Sequence, residues 1–130
     1  MVAFSQQTEI SKDFTGENTV YDNDGNVYSI AEYKDGILHG EITIYYSNGD
    51  IMEKGQYKIG DKHGQWKKWD NNGAVTAEAH YVNGQKNGNW KIWDSNGVLR
   101  YDMTYENDQK VNIWYMYDEN ANLLSERSFN

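Results

Sequence analysis

Glycine returns every 24 residues along this chain, at Gly16, Gly40, Gly64 and Gly88, with Asn112 in the fifth place. Five residues after each comes an aromatic: Tyr21, Tyr45, Trp69, Trp93 and Tyr117. A turn glycine follows at Gly25, Gly49, Gly73 and Gly97, replaced by Ala121 in the last unit. A second aromatic column then appears at Tyr33, Tyr57, Tyr81, Tyr105 and Phe129. Neither insertion nor deletion breaks this pattern from residue 16 to residue 130. A strict period of this length marks a stacked array, in which each unit buries its apolar face only against its neighbours. The organisation read from it is an N-terminal cap over 1–15, a degenerate half-repeat, and an array of five units over 16–130 (16–39, 40–63, 64–87, 88–111 and 112–130).

Each unit reads as two strands. In the second unit they cover about 41–46 and 51–58, joined by Ser47-Asn48-Gly49-Asp50. Asn-Gly between two β-prone runs predicts a two-residue type I′ hairpin, because both central residues need positive φ. Asp24-Gly25, Asn72-Gly73 and Asn96-Gly97 repeat the signal, whereas Asn120-Ala121 predicts a looser turn or one of another type. On this register Ser47 faces Asp50, Ile42 faces Gly55, Trp66 faces Ala79, and Gly40, Gly64 and Gly88 face tyrosines that cover the bare backbone. The alternative is a three-residue turn with a glycine bulge, which slips the pairing by one. The inter-unit connection Lys58–Gly64 reads as the longer one. Short connections make neighbouring strands antiparallel. The expected fold is all-β: one elongated antiparallel meander of about ten strands, twisted and curled into a trough. Ala3 and Phe4 align with Val27 and Tyr28, which predicts a further N-terminal edge strand.

The same register assigns faces. One face takes Val27, Ile51, Val75, Leu99 and Leu123, together with Ile42, Trp66, Trp90, Trp114 and the second tyrosine column. The other takes Glu41, Thr43, Lys67, Lys91, Glu53 and Gln56, and is polar except for the stripe Tyr21, Tyr45, Trp69, Trp93 and Tyr117. Successive rings of that stripe are expected ~10 Å apart, two strand spacings. Arg100 is the expected cross-strand cover for Trp93.

Hydrophobic residues make up only 38% of the chain but aromatics 15%, so rings must supply the packing that aliphatic side chains usually supply. The net charge of −8 argues against nucleic acid and anionic membranes, and favours a basic protein partner. The absence of cysteine removes disulfides, thiolate nucleophiles and Cys-ligated zinc. No apolar run approaches the ~18 residues of a membrane span. The opening 1–11 segment has no signal-peptide pattern, so a soluble, cytoplasmic location is favoured over export after signal removal. His39 and His63 hold equivalent loop positions and lack a third ligand, so they read as surface histidines; His80 reads as a solvated strand residue. Asp22, Asp70, Asp94 and Asp118 precede turns and read as acceptors for backbone N–H groups. Asp22-Asn23-Asp24-Gly25 fails the EF-hand pattern, since Val20 stands where the first carboxylate belongs. No phosphate loop, nucleophile elbow or zinc helix motif occurs. The expectation is a protein without a catalytic site, metal or cofactor.

Two stretches carry a family likeness: Gly64-Gln65-Trp66-Lys67-Lys68-Trp69-Asp70-Asn71-Asn72-Gly73, and Tyr81-Val82-Asn83-Gly84-Gln85-Lys86-Asn87-Gly88. This pattern resembles the MORN repeat in its bacterial variant form, over residues 16–130. The fifth unit departs from it at Asp108, Asn112 and Ala121. The resemblance implies an antiparallel hairpin array with a protein-binding role and no catalytic residues. Members of the variant look like antitoxin or immunity components of toxin–antitoxin systems.

Rings and charge together point to a non-catalytic binding scaffold that docks a basic partner on an acidic, aromatic-lined concave face, and the resemblance implies that the scaffold is an antitoxin or immunity protein and the partner a toxin. The expected anchors are Tyr45, Trp69, Trp93 and Tyr117, with Glu41, Glu53 and Asp102 for charge matching. The alternatives are a carbohydrate-binding module stacking sugars on the stripe, and a structural or self-assembling spacer. The expected state is a monomer, or weak self-association through open strand edges.

Overall fold

The computed structural model describes residues 9–130, so the expected strand around Ala3 and Phe4 lies outside the described residues. The described chain is all strand and turn. The first half contains β1 (Gly16–Tyr21), β2 (Val27–Lys34), β3 (Ile37–Tyr45), β4 (Ile51–Lys58), β5 (Asp61–Trp69) and β6 (Val75–Val82). The second half contains β7 (Gln85–Lys86), β8 (Gly88–Trp93), β9 (Leu99–Glu106), β10 (Gln109–Tyr117) and β11 (Leu123–Phe129). They form one open antiparallel meander in sequence order. β7 and β8 share one place in the sheet, interrupted at Asn87, so eleven strands fill the ten expected positions.

Two kinds of turn alternate, in the reverse of the expected arrangement. The inter-unit connections are the tight ones: Lys34 pairs with Ile37, Lys58 with Asp61, and Glu106 with Gln109. Both central residues have positive φ in Asp35-Gly36, Ile59-Gly60, Asn83-Gly84 and Asn107-Asp108, the type I′ signature. Within units, Tyr46 N–H donates to Asp50 O and Gly49 N–H to Tyr46 O, enclosing Ser47, Asn48 and Gly49. That is the three-residue turn with its left-handed glycine (φ 94°).

The expected strand register nevertheless survives. Gly40 pairs with Tyr57, Ile42 with Gly55 and Ile44 with Glu53, but Tyr45 pairs with Ile51. Met52 is thus an extra residue, a β-bulge that undoes the slip introduced by the three-residue turn. Tyr28, Thr76, Arg100 and Leu124 fill the same bulge position in the other units. The bulge changes face assignments, because cross-strand partners share a face. Ile51, Val75, Leu99 and Leu123 pair with Tyr45, Trp69, Trp93 and Tyr117, so the aliphatic column joins the stripe and not the Trp66 face.

The sheet packs on rings. Edge-to-face contacts run Tyr57–Trp66–Tyr81–Trp90–Tyr105–Trp114 with centroids 5.0–6.4 Å apart, and Phe129 ends the row 4.9 Å from Trp114. Trp66 is 4% exposed, among the few buried side chains of so thin a sheet. Its ring lies over Gly55, where any Cβ would collide with it. The ladder is displaced there: Gln56 pairs with His63 and Lys54 with Lys67, leaving Gly55 opposite Gly64, Gln65 and Trp66. Indole N–H groups satisfy carbonyls at these displacements, Trp66 to Gln56 (3.1 Å), Trp90 to His80 (3.0 Å) and Trp114 to Thr104 (2.9 Å). The unit-opening glycines do pair with tyrosines. The atoms that crowd Gly40 and Gly88 belong to Glu32 and His80, however, and positive φ explains the glycines better than ring cover does.

Candidate functional site

The stripe face is built by alternation along the odd positions of β3, β5, β8 and β10. Tyr45, Trp69, Trp93 and Tyr117 come last in these strands, one step before the turns, and all four are half-buried. Each stands across from an aliphatic residue, of which Ile51 (37%) and Leu123 (52%) are exposed. Ring and aliphatic columns together make an amphipathic band along the turn edge. Side chains of the preceding unit fix parts of its backbone: Tyr46 hydroxyl donates to Trp69 O (2.7 Å), and Arg100 Nε donates to Tyr117 O (2.8 Å). Arg100 occupies a bulge and pairs with Asp94 (3.6 Å), so Leu99, not Arg100, faces Trp93.

The three expected charge-matching residues do not act as a set. Glu41 and Asp102 share the stripe face, but Glu53 pairs with Ile44 and Lys68 on the opposite face. Glu41 forms an ion pair with Lys54 (3.5 Å), and Glu78 on the same face pairs with Lys67 (3.7 Å). Asp102 stands across from Lys91 and accepts from Asn89 Nδ2 (2.8 Å). Cross-strand pairing balances the middle of this face, and its free negative charge lies on the turn edge beside the stripe. There Asp70, Asp94 and Asp118 directly follow Trp69, Trp93 and Tyr117, with Arg100 offsetting part of the charge through its ion pair with Asp94.

Those aspartates hold the turns as expected. Asp70 Oδ1 accepts from Asn72 N–H (2.9 Å) and Ala74 N–H (3.0 Å), and Asp94 and Asp118 repeat the pattern. The N–H groups of Asn122 and Asn120 hold the Asp118 carboxyl below the usual carboxylate range. Ala121 adopts φ 65°, and its turn has the same hydrogen bonds as the glycine turns, so the last hairpin is neither looser nor of another type.

His39 and His63 are structural acceptors: their Nδ1 atoms take the N–H groups of Ile59 (3.1 Å) and Asn83 (3.2 Å). Thr15 and Asn87 serve Asp35 and Asn107 in the same way. His80 Nδ1 lies 2.9 Å from Asn89 O, which requires a proton on that nitrogen. Among the described residues no group of three or more His, Asp or Glu is placed to hold a metal ion.

The feature that sequence reading missed is on the other face. Lys62 Nζ sits 4.5 Å from the Trp66 centroid and 5.3 Å from that of Tyr81. Lys86 bridges Trp90 and Tyr105 (5.0 and 4.9 Å), and Lys110 bridges Trp114 and Phe129 (5.0 and 5.4 Å). The signal was a lysine four residues before each tryptophan, at the same 24-residue period. Burial raises the Tyr57 and Tyr81 hydroxyl pKa values above the ordinary tyrosine value, and the Glu53 carboxylate adds to both shifts.

Comparison with the curated proteins returned no match. A family model described as MORN repeat variant matches four times, at residues 14–35, 38–58, 62–83 and 86–107. Each match spans most or all of the first strand, the three-residue turn and the whole second strand of a hairpin. With the period, the hairpins and these matches in register, the chain belongs to the MORN repeat variant family.

Proposed function

We propose that this protein is a non-catalytic scaffold that binds a basic protein through its stripe face, and that the partner is a toxin which it holds inactive as an antitoxin or immunity protein. The observation that carries the reading is the band of Tyr45, Trp69, Trp93 and Tyr117 beside Ile51, Val75, Leu99 and Leu123. Half-buried Tyr and Trp rings are preorganised anchors, since they lose little further freedom on binding. The neighbouring Asp70, Asp94 and Asp118 supply charge that speeds encounter with a basic surface and selects for it. Glu41 and Asp102 contribute less, because Lys54 and Asn89 already hold them. Glu53 drops out of the docking set by its place on the other face.

The test is capture from the source cell at moderate salt with the native chain and with Trp69→Ala/Trp93→Ala. The expected result is a basic protein retained by the native chain, at least about tenfold depleted with the double variant, and released by salt. Its gene is expected beside this one, and its toxicity is expected to be relieved by co-expression of this chain. Recovery of no protein, with glycan binding that needs the same two tryptophans, would replace this reading with a carbohydrate-binding module.

A further inference from the structure

The two faces of the sheet differ in charge, and the second face carries a site of its own. Strand alternation places Lys62, Lys68, Lys86, Lys110 and Arg127 on the tryptophan face, with Glu53 the single acid there among the described strand residues. Glu53 stands across from Lys68, and the other four cations have no carboxylate opposite them on their own face, although Asp108, in the β9–β10 turn, accepts from Lys86 N–H (2.7 Å) and reaches the Tyr81 side of the row. In a chain of net charge −8 this concentrates positive charge on one surface. Three of these cations lie in a line over the ring row, one per unit. The rings hold each ammonium group in place while leaving its donors toward solvent.

From this geometry we propose that the tryptophan face is a second docking surface, and that its occupant is an extended acidic polypeptide segment with a carboxylate at every third residue. The spacing selects the occupant. Lysines in successive units are ~10 Å apart, two strand spacings. A polyproline II chain advances about 9.3 Å in three residues and returns to the same side. Acids at every third position therefore meet Lys62, Lys86 and Lys110 in turn. Aromatic ridges are the surfaces on which such chains dock, because the segment is already extended and loses little entropy. A narrow chain touches this face alone. A duplex or a lipid surface is broad enough to bring its phosphates against the acids of the inter-unit turn edge beside the lysines, Asp35, Asp61 and Asp108, and is repelled there. The surface is separate from the stripe, so the protein joins a basic partner on one face to an acidic segment on the other.

The test is fluorescence anisotropy with labelled peptides of three Glu-Pro-Pro triplets, in both chain directions, against the full protein. Saturable binding is expected for one direction. It should weaken at least about tenfold when the three glutamates are made adjacent. Lys62→Gln/Lys86→Gln/Lys110→Gln should abolish it, while the triple Arg variant retains it and Trp69→Ala/Trp93→Ala leaves it unchanged. The Arg variant keeps the result interpretable if the Gln variant loosens the sheet. Equal affinity for the spaced and clustered peptides, no binding by either, or tighter lysine-dependent binding of oligo-dT or phosphatidylserine vesicles would overturn the proposal.

Discussion

At the residue scale, the repeat tolerates local strain wherever the hydrogen bonds of a turn demand it. The first residue of each type I′ turn needs positive φ, and Asp35, Asn83 and Asn107 supply residue types that visit this region readily. Ile59 sits there at φ 49° with a β-branched side chain that is 68% exposed. Ala121 is similarly placed at φ 65° where the other units have glycine. Nothing in the packing compensates either residue. We predict that Ile59→Asn and Ala121→Gly each raise the stability of the chain by about 1 kcal/mol, measured by urea denaturation. A loss of stability at position 59 would mean that the exposed Ile59 side chain contributes packing that outweighs its backbone strain.

At the element scale, each strand pair depends on two departures from ideal pairing that sequence could not place. One is the bulge at Met52 and its equivalents, which returns the ladder to register after the three-residue turn. The other is the displacement opposite Gly55, over which the Trp66 ring lies. Ala79 holds the equivalent position in the next unit, so the sheet accommodates one methyl group there by moving the ring. Trp66 is the more deeply buried ring, and it has less room to move. Gly55→Ala is therefore predicted to cost about 1–3 kcal/mol and to weaken the Trp66–Gln56 hydrogen bond. Both effects are readable as a lower denaturation midpoint and a red-shifted tryptophan emission. A midpoint equal to that of the native chain would show that the ring is free to shift.

At the scale of the whole molecule, the main contacts of each strand are with the strands beside it in the meander. Stability then builds unit by unit, as in other arrays. A chain ending after residue 111 keeps Tyr57 through Tyr105 in contact with Trp66 and Trp90 and loses only the Trp114 and Phe129 contacts. We predict that it remains folded, with far-ultraviolet circular dichroism scaled to its length and a lower melting temperature. Complete unfolding would show that the sheet is cooperative end to end. The same linear architecture presents two broad faces, the kind of surface a repeat-based binding scaffold offers.

The period, the alternation and the turn residues were sufficient to determine the array, its antiparallel order, the pairing of Gly40 with Tyr57 and the aspartate turns, because all of these depend on neighbours along the chain or one strand away. The face of the aliphatic column, the position of Glu53 and the cover on Trp93 were decided only in three dimensions. A turn and a bulge each shift the ladder by one, and both arrangements bring Ile42 opposite Gly55; they differ only in which side of the sheet Ile51 reaches. The lysine line was present in the sequence as a column, but its meaning was not. A lysine on a strand reads as a solvated charge until the indole four residues later is seen to fold back beneath it.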